Sequence, residues 1–361
     1  MKATQRLHDL GQRLWLDNIN RGLLTSGALR RYIKEFSVTG LTSNPTIFEH
    51  AIGNSDFYDA AIGNLARQGE SGEELFFSLA LEDLTQAADL LRPIHDASHG
   101  VDGWVSLEVS PLLADDTART IHAAARQHAA AARPNLFIKI PGTPAGIPAI
   151  EESIFAGVPI NVTLLFSREH YLAAAEAYLR GIERRVAAGL DPKVESVASL
   201  FVSRWDVAVK EEISPQYHNR LGIAIAMRTY KAYRELLASA RWQNLAQAGA
   251  HPQRLLWAST GTKDPAAPDT LYVQALGAPD TINTMPEKTL QAFVDHGHVG
   301  AALPADGGYA EAVLEEFRRE GVDDVALAAR LQREGTDAFA QSWHALLSRV
   351  GEKTSRLVPS K

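Results

Sequence analysis

Residues 136–142 read L-F-I-K-I-P-G, and this stretch decides how the rest of the sequence is interpreted. Four apolar residues surround Lys139, in a run that is too short for a helix and that ends at Pro141 and Gly142. Short apolar runs with β-branched residues, closed by proline and glycine, are typical of buried strands. We therefore predict a buried strand that carries a lysine at its C-terminal end.

This lysine has two interpretations. Burial in an apolar strand disfavours the charged ammonium, and a lysine attacks a carbonyl only as the neutral amine, so Lys139 is a candidate nucleophile. A lysine that extends to solvent, or that lies on the edge of a sheet, fits the same stretch. The choice between them depends on the polar residues elsewhere in the chain.

The composition narrows the class of protein. The chain has 361 residues, of which 45% are hydrophobic and 22% are charged, so it can bury the core of one α/β barrel or of two smaller domains. Its formal net charge of -7 argues against general nucleic-acid binding. Cysteine is absent, which excludes disulfides, thiolate catalysis and cysteine-based metal sites.

The sequence contains no signal for secretion or for membrane insertion. The first residues space their leucines like one face of a helix and lack the continuous apolar region of a signal peptide. No apolar run approaches the roughly 18 residues that a membrane span requires. We expect a cytoplasmic protein without a membrane partner.

Eight stretches have the pattern of strands, and helical patterns separate most of them. The predicted strands are residues 14–17, 38–44, 104–109, 136–142, 159–165, 197–202, 254–259 and 281–285. Alternating strands and helices predict a parallel sheet, and eight units predict a closed (β/α)8 barrel. A doubly wound open sheet is the alternative, but no G-x-G-x-x-G motif follows an early strand.

The helices complete an α/β fold with one (β/α)8 TIM barrel domain over residues 1–361. The predicted helices are residues 73–91, 120–132 and 144–157, a helix that begins at Pro45, a long helix capped by Ser167, and a second long region from 221 to about 248. Additional helices are expected before the first strand. A helical extension at about 290–361 is expected to wrap the outside of the barrel.

Polar residues gather where the predicted strands end, which is where such barrels place their chemistry. These residues are Asp17, Asn44, Glu108, Lys139, Asn161, Thr163, Ser199 and Ser259. One polar residue at a strand end is usually a cap or a turn residue, but eight on one rim predict a site. Two carboxylates around one lysine supply what Schiff-base chemistry needs, a nucleophilic amine and groups that move protons.

Six motifs in these stretches resemble those of transaldolases, in the order of that family, between about residues 12 and 290. They are L-W-L-D at 14–17, T-S-N-P-T at 42–46, S-L-E-V at 106–109, F-I-K-I-P at 137–141, N-V-T-L-L-F-S at 161–167 and S-L-F-V-S-R at 199–204. The resemblance implies a class I aldolase barrel of the pentose phosphate pathway with the Schiff-base lysine on the fourth strand. Lys139 is on the fourth predicted strand.

By this resemblance, Lys139 would attack the ketone of fructose 6-phosphate or sedoheptulose 7-phosphate. Asp17 would accept the C4-hydroxyl proton as the C3–C4 bond breaks, and Glu108 would relay protons through a water held by Thr163. The dihydroxyacetone unit would pass to glyceraldehyde 3-phosphate or erythrose 4-phosphate. The residues that would bind the substrate are Asn44 and Asn161 at its hydroxyls, Ser199 near C1, Arg204 and Ser259 at the phosphate, and Thr42 in a supporting position.

Two positions bear on specificity. Family members often have an arginine two residues after the serine of the seventh strand, whereas this chain has Gly261 there and Lys263 two residues further on. Either Lys263 supplies the positive charge for the phosphate, which we favour, or that contact is absent. Related aldolases have a tyrosine where this chain has Phe201; the phenylalanine either favours group transfer or only fills the barrel.

The sequence leaves two rival functions. One is a lyase similar to fructose 6-phosphate aldolase, and the other is an inactive barrel that binds sugar phosphates. No metal or organic cofactor is implied, because the lysine itself provides the electron sink. The expected partners are sugar phosphate substrates and, if the protein is not a monomer, a second copy of the chain in a homodimer.

Overall fold

A computed structural model describes residues 2–358 of the chain. Its eight strands form a closed barrel in which each strand pairs in parallel with the next one and the eighth pairs with the first. The strands are Arg13–Asp17 (β1), Val38–Thr42 (β2), Trp104–Glu108 (β3), Leu136–Pro141 (β4), Ile160–Leu165 (β5), Ser196–Phe201 (β6), Arg254–Ala258 (β7) and Thr281–Met285 (β8). The predicted (β/α)8 barrel is confirmed.

Helices precede the barrel, connect its strands and follow it. They are Ala3–Asp9 (α1), Arg21–Thr25 (α2), Ala28–Phe36 (α3), Pro45–Gly53 (α4), Asp59–Arg67 (α5), Gly72–Ala97 (α6), Thr117–Ala131 (α7), Gly146–Phe155 (α8), Arg168–Ala187 (α9), Ser203–Val209 (α10), Leu221–Ala238 (α11), Ala240–Gln247 (α12), Leu271–Ala275 (α13), Glu287–His296 (α14), Ala310–Arg319 (α15) and Asp324–Leu357 (α16). None of the helices within residues 2–358 is long and apolar enough to cross a membrane.

Each strand sends alternate side chains to the two faces of the barrel wall, as the period of two requires. On β4, Ile138 and Ile140 belong to the large core between the barrel and its helices, whereas Phe137 belongs to a second core that includes the barrel interior. Lys139 is on the same face of β4 as Phe137. The lysine therefore points into the barrel, one layer closer to the C-terminal ends of the strands.

An aromatic layer fills the barrel below that lysine. The rings of Trp104 and Phe137 stack with centroids 4.1 Å apart, and the ring of Trp15 lies 6.2 Å from that of Phe137. Gly40 on β2 makes room for this layer, because a Cβ atom there would lie 2.4 Å from the Trp15 indole nitrogen. The interior is therefore a packed apolar floor, and only the upper layer is open to polar ligands.

Capping residues set several element boundaries. Asn44 accepts a hydrogen bond from the Ile47 amide, so β2 ends before it and Pro45 is the first residue of α4, as predicted. Ser167 caps α9 in the same way. The long helical region predicted from 221 to about 248 consists of two helices, because Ser239 has extended backbone dihedral angles that end α11 and its side chain caps α12. The helix predicted over 73–91 is longer than expected and continues to Ala97.

The C-terminal helices do not simply wrap the outside, as the sequence predicted. Helix α14 packs beside β1 and α1, whereas the 34-residue α16 runs from the outer helices α4 to α6 across the C-terminal end of the barrel. There Gln332 donates hydrogen bonds to the carbonyls of Gly142 and Leu164, and Phe339 reaches the central cavity. An amphipathic pattern shows that a helix has a buried face, but not which surface covers that face. Residues 359–361 of the predicted extension lie outside the described residues.

Candidate active site

A cavity of about 710 Å³ opens at the C-terminal ends of the strands. Its lining includes the predicted site residues Asp17, Thr42, Asn44, Lys139, Thr163, Ser199, Phe201, Arg204, Ser259 and Lys263. Glu108 and Asn161 do not line this cavity and lie deeper in the wall of the barrel. Parallel strands in a closed barrel all end on the same side, which is why residues far apart in the sequence meet here.

Lys139 is buried among polar groups. Its Nζ atom lies 2.7 Å from Glu108 Oε1, on the neighbouring strand, and donates a 2.9 Å hydrogen bond to the carbonyl of Ser43. Burial raises the pKa of Glu108 above its ordinary value; the adjacent Lys139 ammonium opposes that rise and Asp17 adds to it. The amine therefore lies among polar groups as well as in the apolar strand predicted from the sequence. The buried Glu108 carboxylate is close enough to accept a proton directly from the Lys139 amine.

Asp17 ends β1 at the wall of the cavity. Its Oδ1 atom accepts a 2.7 Å hydrogen bond from the Thr42 hydroxyl, whose oxygen also lies 2.7 Å from the Thr284 hydroxyl. Burial raises the pKa of Asp17; Lys139 and the Thr42 hydrogen bond partly offset this rise. A carboxylate with a raised pKa in a fixed orientation is suited to act as a general base.

A small separate cavity lies behind Lys139. It has a volume of about 20 Å³, and its walls include Glu108, Lys139, Thr163 and Phe339. A cavity needs about 10–15 Å³ of such volume to hold one water molecule. The Thr163 hydroxyl is buried and makes no hydrogen bond within residues 2–358, so a water at this position would have Thr163, Glu108 and Lys139 as partners.

Asn161 is held from both sides inside the barrel. Its side-chain nitrogen lies 3.0 Å from the hydroxyl oxygen of Ser106, and its side-chain oxygen accepts a 2.7 Å hydrogen bond from Ser199. Asn161 is fully buried, whereas Ser199 contributes to the cavity wall. Asn161 is therefore placed to orient Ser199.

Three of the predicted residues form the cationic end of the cavity. Arg204 packs against the rings of Phe201 and Phe339, with its guanidinium 5.4 Å and 6.0 Å from the ring centroids. Burial lowers the pKa of Arg204, and within the described residues no carboxylate is hydrogen-bonded to it. Lys263 is exposed on the loop after β7, and Ser259 lines the cavity together with both cations. This end of the cavity is suited to an anionic group.

The sequence analysis missed several residues of the site. Thr284 on β8 supports Asp17 through Thr42, and the period of two along T-I-N-T-M could have placed it on the inner face. Ser43 binds Lys139 through its backbone carbonyl, a contact that the identity of the side chain does not predict. Phe339 lines both cavities but comes from α16, where its helical spacing is also that of an ordinary core residue.

Comparison with known proteins identifies the family of this chain. The sequence profile of the family described as "Transaldolase/Fructose-6-phosphate aldolase" matches residues 14–350. The chain belongs to this family. Transaldolase from Thermobifida fusca (strain YX) is 46% identical over 358 residues, which are 97% of each chain. Transaldolase from Parafrankia sp. (strain EAN1pec) is 44% identical over 98% of each chain, and Transaldolase from Thiobacillus denitrificans (strain ATCC 25259 / T1) is 44% identical over 97% of this chain and all of its own.

A solved structure described as a putative fructose-1,6-biphosphate aldolase from Coccidioides immitis covers 98% of this chain, at 10% identity and a TM-score of 0.29. That score is too low to support an argument. The evidence for the fold of this family member is its own strand pairing.

Proposed function

We propose that this protein is a transaldolase, which moves a dihydroxyacetone unit from a ketose phosphate to an aldose phosphate through a Schiff base on Lys139. One observation carries the proposal: the buried Lys139 amine lies 2.7 Å from the Glu108 carboxylate in a cavity that Asp17 also lines. The relatives that match nearly the whole chain bear the name transaldolase. Fructose 6-phosphate and sedoheptulose 7-phosphate are the proposed donors, in the pentose phosphate pathway.

The first stage is formation of the imine. Transfer of a proton from Lys139 to Glu108 leaves a neutral amine, and the raised pKa of Glu108 favours this transfer. The amine adds to the ketone carbon, and the hydroxyl of the resulting carbinolamine leaves as water after Glu108 returns a proton. A water in the cavity beside Thr163 would connect Glu108 to the reacting oxygen.

The second stage is cleavage of the C3–C4 bond. Asp17 takes the proton of the C4 hydroxyl, the C3–C4 electron pair moves into the iminium to give an enamine, and an aldose phosphate leaves. The enamine then attacks the aldehyde carbon of a second aldose phosphate, and Asp17 returns its proton to the new hydroxyl. The reverse of the first stage releases the new ketose phosphate.

The cationic end of the cavity holds the substrate phosphate in this proposal. Arg204 offers the planar donor fork that suits phosphate, and Ser259 offers a hydroxyl. Lys263 takes the place of the family's arginine, since it lines the same cavity as Arg204. Asn44 remains the proposed contact for the hydroxyls of the three-carbon unit, although its side-chain oxygen also caps α4.

The same-mechanism alternative is a lyase that releases free dihydroxyacetone. Phe201 favours transfer, because its ring packs against Phe166 and lines the cavity without a hydroxyl group that could orient a water. An enamine that is protonated slowly by water persists until an aldose phosphate arrives.

Borohydride trapping and product analysis together test the proposal. With fructose 6-phosphate and borohydride, the protein should gain a reduced three-carbon adduct on Lys139, and Lys139→Met should gain none. Turnover should require an aldose phosphate acceptor. Absence of the adduct would refute the Schiff base, and steady cleavage of fructose 6-phosphate without an acceptor would favour the lyase.

We further propose that residues 1–361 form one domain, because α16 contributes Phe339 to the cavity of the barrel. A cytoplasmic location and a monomeric or homodimeric state stay predictions from the sequence. Size-exclusion chromatography with light scattering would determine the oligomeric state.

A further inference from the structure

We propose that Gln332 on α16 is a positioning residue, which holds the turn that carries Thr163 and thereby sets the rate of imine formation. This inference rests on the proposed function. It begins from an irregularity in β5, where the register with β6 shifts between Val162 and Leu165.

Leu164 is the residue that breaks the strand. Its φ is +58°, in the left-handed region, which costs a leucine roughly 1–2 kcal/mol. As a result Val162 and Leu165 both face Gly142, where a Cβ atom would lie 3.2 Å from one and 2.4 Å from the other. Two residues three apart cannot share one face of an unbroken strand. The break therefore follows Thr163 directly, and both Thr163 and Leu164 line the small cavity.

Gln332 binds two backbone carbonyls at this break. Its side-chain nitrogen donates one 3.0 Å hydrogen bond to the carbonyl of Gly142 and another to that of Leu164. Both hydrogens of the amide are thus used, which fixes the orientation of the amide. Gly142 in turn donates its N–H to the Thr163 carbonyl at 2.8 Å. Gln332 therefore links Gly142 to Leu164, and Gly142 in turn binds the backbone of Thr163.

The neighbouring residues of α16 show that the helix is fitted to this turn. Gly335 lies one turn after Gln332, and a Cβ atom there would lie 2.9 Å from Leu164 and 3.4 Å from Arg204. Thr336 and Phe339 complete the wall of the cavity that Glu108 and Thr163 also line. Buried Gln332 therefore supplies the polar contacts where α16 packs closely against Gly142 and Leu164.

Gln332→Met tests this role, since methionine keeps the length of the side chain and removes both donors. We expect the rate of adduct formation on Lys139, measured by quenching with borohydride at saturating fructose 6-phosphate, to fall about 10- to 100-fold together with kcat. KM for fructose 6-phosphate should stay within about threefold, because the phosphate-binding residues are not held by Gln332. General loosening of the cavity would raise KM instead.

Leu346→Ala is the matched control, because Leu346 is a fully buried residue of the same helix that lines neither cavity. It should lower the thermal unfolding midpoint at least as much as Gln332→Met while kcat stays within about twofold. Wild-type rates in Gln332→Met, or an equal loss of rate in Leu346→Ala, would overturn the inference. If Gln332→Met does not fold, Gln332→Asn decides the question, since its shorter arm reaches one carbonyl at most and a smaller loss of the same kind is expected. Failure of the unaltered protein to form any adduct would overturn the proposed function itself.

Discussion

Replacement of Asp17 by asparagine should separate imine formation from cleavage of the carbon–carbon bond. Asparagine retains an oxygen that can accept the 2.7 Å hydrogen bond from Thr42, so the contact between Thr42 and Thr284 is expected to persist. The substitution removes only the group that takes the proton of the C4 hydroxyl. Lys139 and Glu108 keep their side chains and their direct contact, and Glu108 loses only the contribution of Asp17 that raises its pKa.

The size of the effect follows from the role of a general base. Such a group typically contributes about 10²- to 10⁴-fold to a rate, and each tenfold corresponds to about 1.4 kcal/mol of activation free energy. Burial raises the pKa of Asp17, which makes its carboxylate a stronger base than an ordinary aspartate. We therefore expect Asp17→Asn to lower kcat about 10³-fold.

The same pKa shift predicts the effect on stability. A carboxyl whose pKa is raised by folding contributes stability below its ordinary pKa, and that contribution is lost as the pH rises through the folded-state pKa. Once the pH exceeds the ordinary aspartate pKa, buried Asp17 therefore lowers the free energy of unfolding, which is a cost to the native protein. Asp17→Asn removes this cost, so its free energy of unfolding should equal or exceed that of the unaltered protein.

Intact-protein mass spectrometry after borohydride treatment gives the decisive measurement. The unaltered protein should accumulate the three-carbon adduct from fructose 6-phosphate, whereas Asp17→Asn should accumulate an adduct with the mass of the whole ketose phosphate, because cleavage is blocked after the imine forms. A coupled assay with erythrose 4-phosphate as acceptor measures turnover in parallel. Turnover within about threefold of the unaltered protein, or a three-carbon adduct formed at the original rate, would refute the role of Asp17.

Four further substitutions test the surroundings of the site. Thr42→Val removes a hydrogen bond that lowers the pKa of Asp17, so the acid limb of the kcat profile should move to higher pH; an unmoved limb would contradict the assignment. Arg204→Lys should raise KM for fructose 6-phosphate by about tenfold or more, because an ammonium lacks the planar donor fork, and Lys263→Ala should have a smaller effect, since that lysine is exposed. Equal KM values for both variants would show that the two cations are interchangeable. Gly40→Ala would place a methyl group 2.4 Å from a buried indole nitrogen and should lower the free energy of unfolding by about 1–3 kcal/mol or more, which denaturant titration can measure; an unchanged midpoint would argue against the packed floor.

The strands of this protein were predictable because their signal is local. A period of two and the apolar residues on both faces of a barrel strand are visible within six residues, as in 136–141, and each predicted strand overlaps the observed one. Errors occur at the ends of helices and strands, where the hydrogen bond of a single side chain can determine the boundary. Ser239 shows this, since its capping hydrogen bond divides one predicted helical region into two helices.

The candidate site was predictable to the same degree. Polar residues at strand ends converge whenever parallel strands close into a barrel, so Asp17, Glu108 and Lys139 could be grouped before any distance was known. The motifs that resemble transaldolases assigned them separate roles. What the motifs could not supply was the environment of the amine, which has a carboxylate at 2.7 Å and a backbone carbonyl at 2.9 Å.

The sequence by itself determined the barrel, the order of its strands and the polar residues on its rim, because all of these follow from patterns within short segments and from the number of segments. Only the tertiary structure decided which helix covers the rim. Gln332 meets Gly142 across 190 residues of sequence, and Phe339 enters the cavity from the same distant helix. Such contacts depend on shape complementarity between whole elements, a property that no local pattern in the sequence encodes.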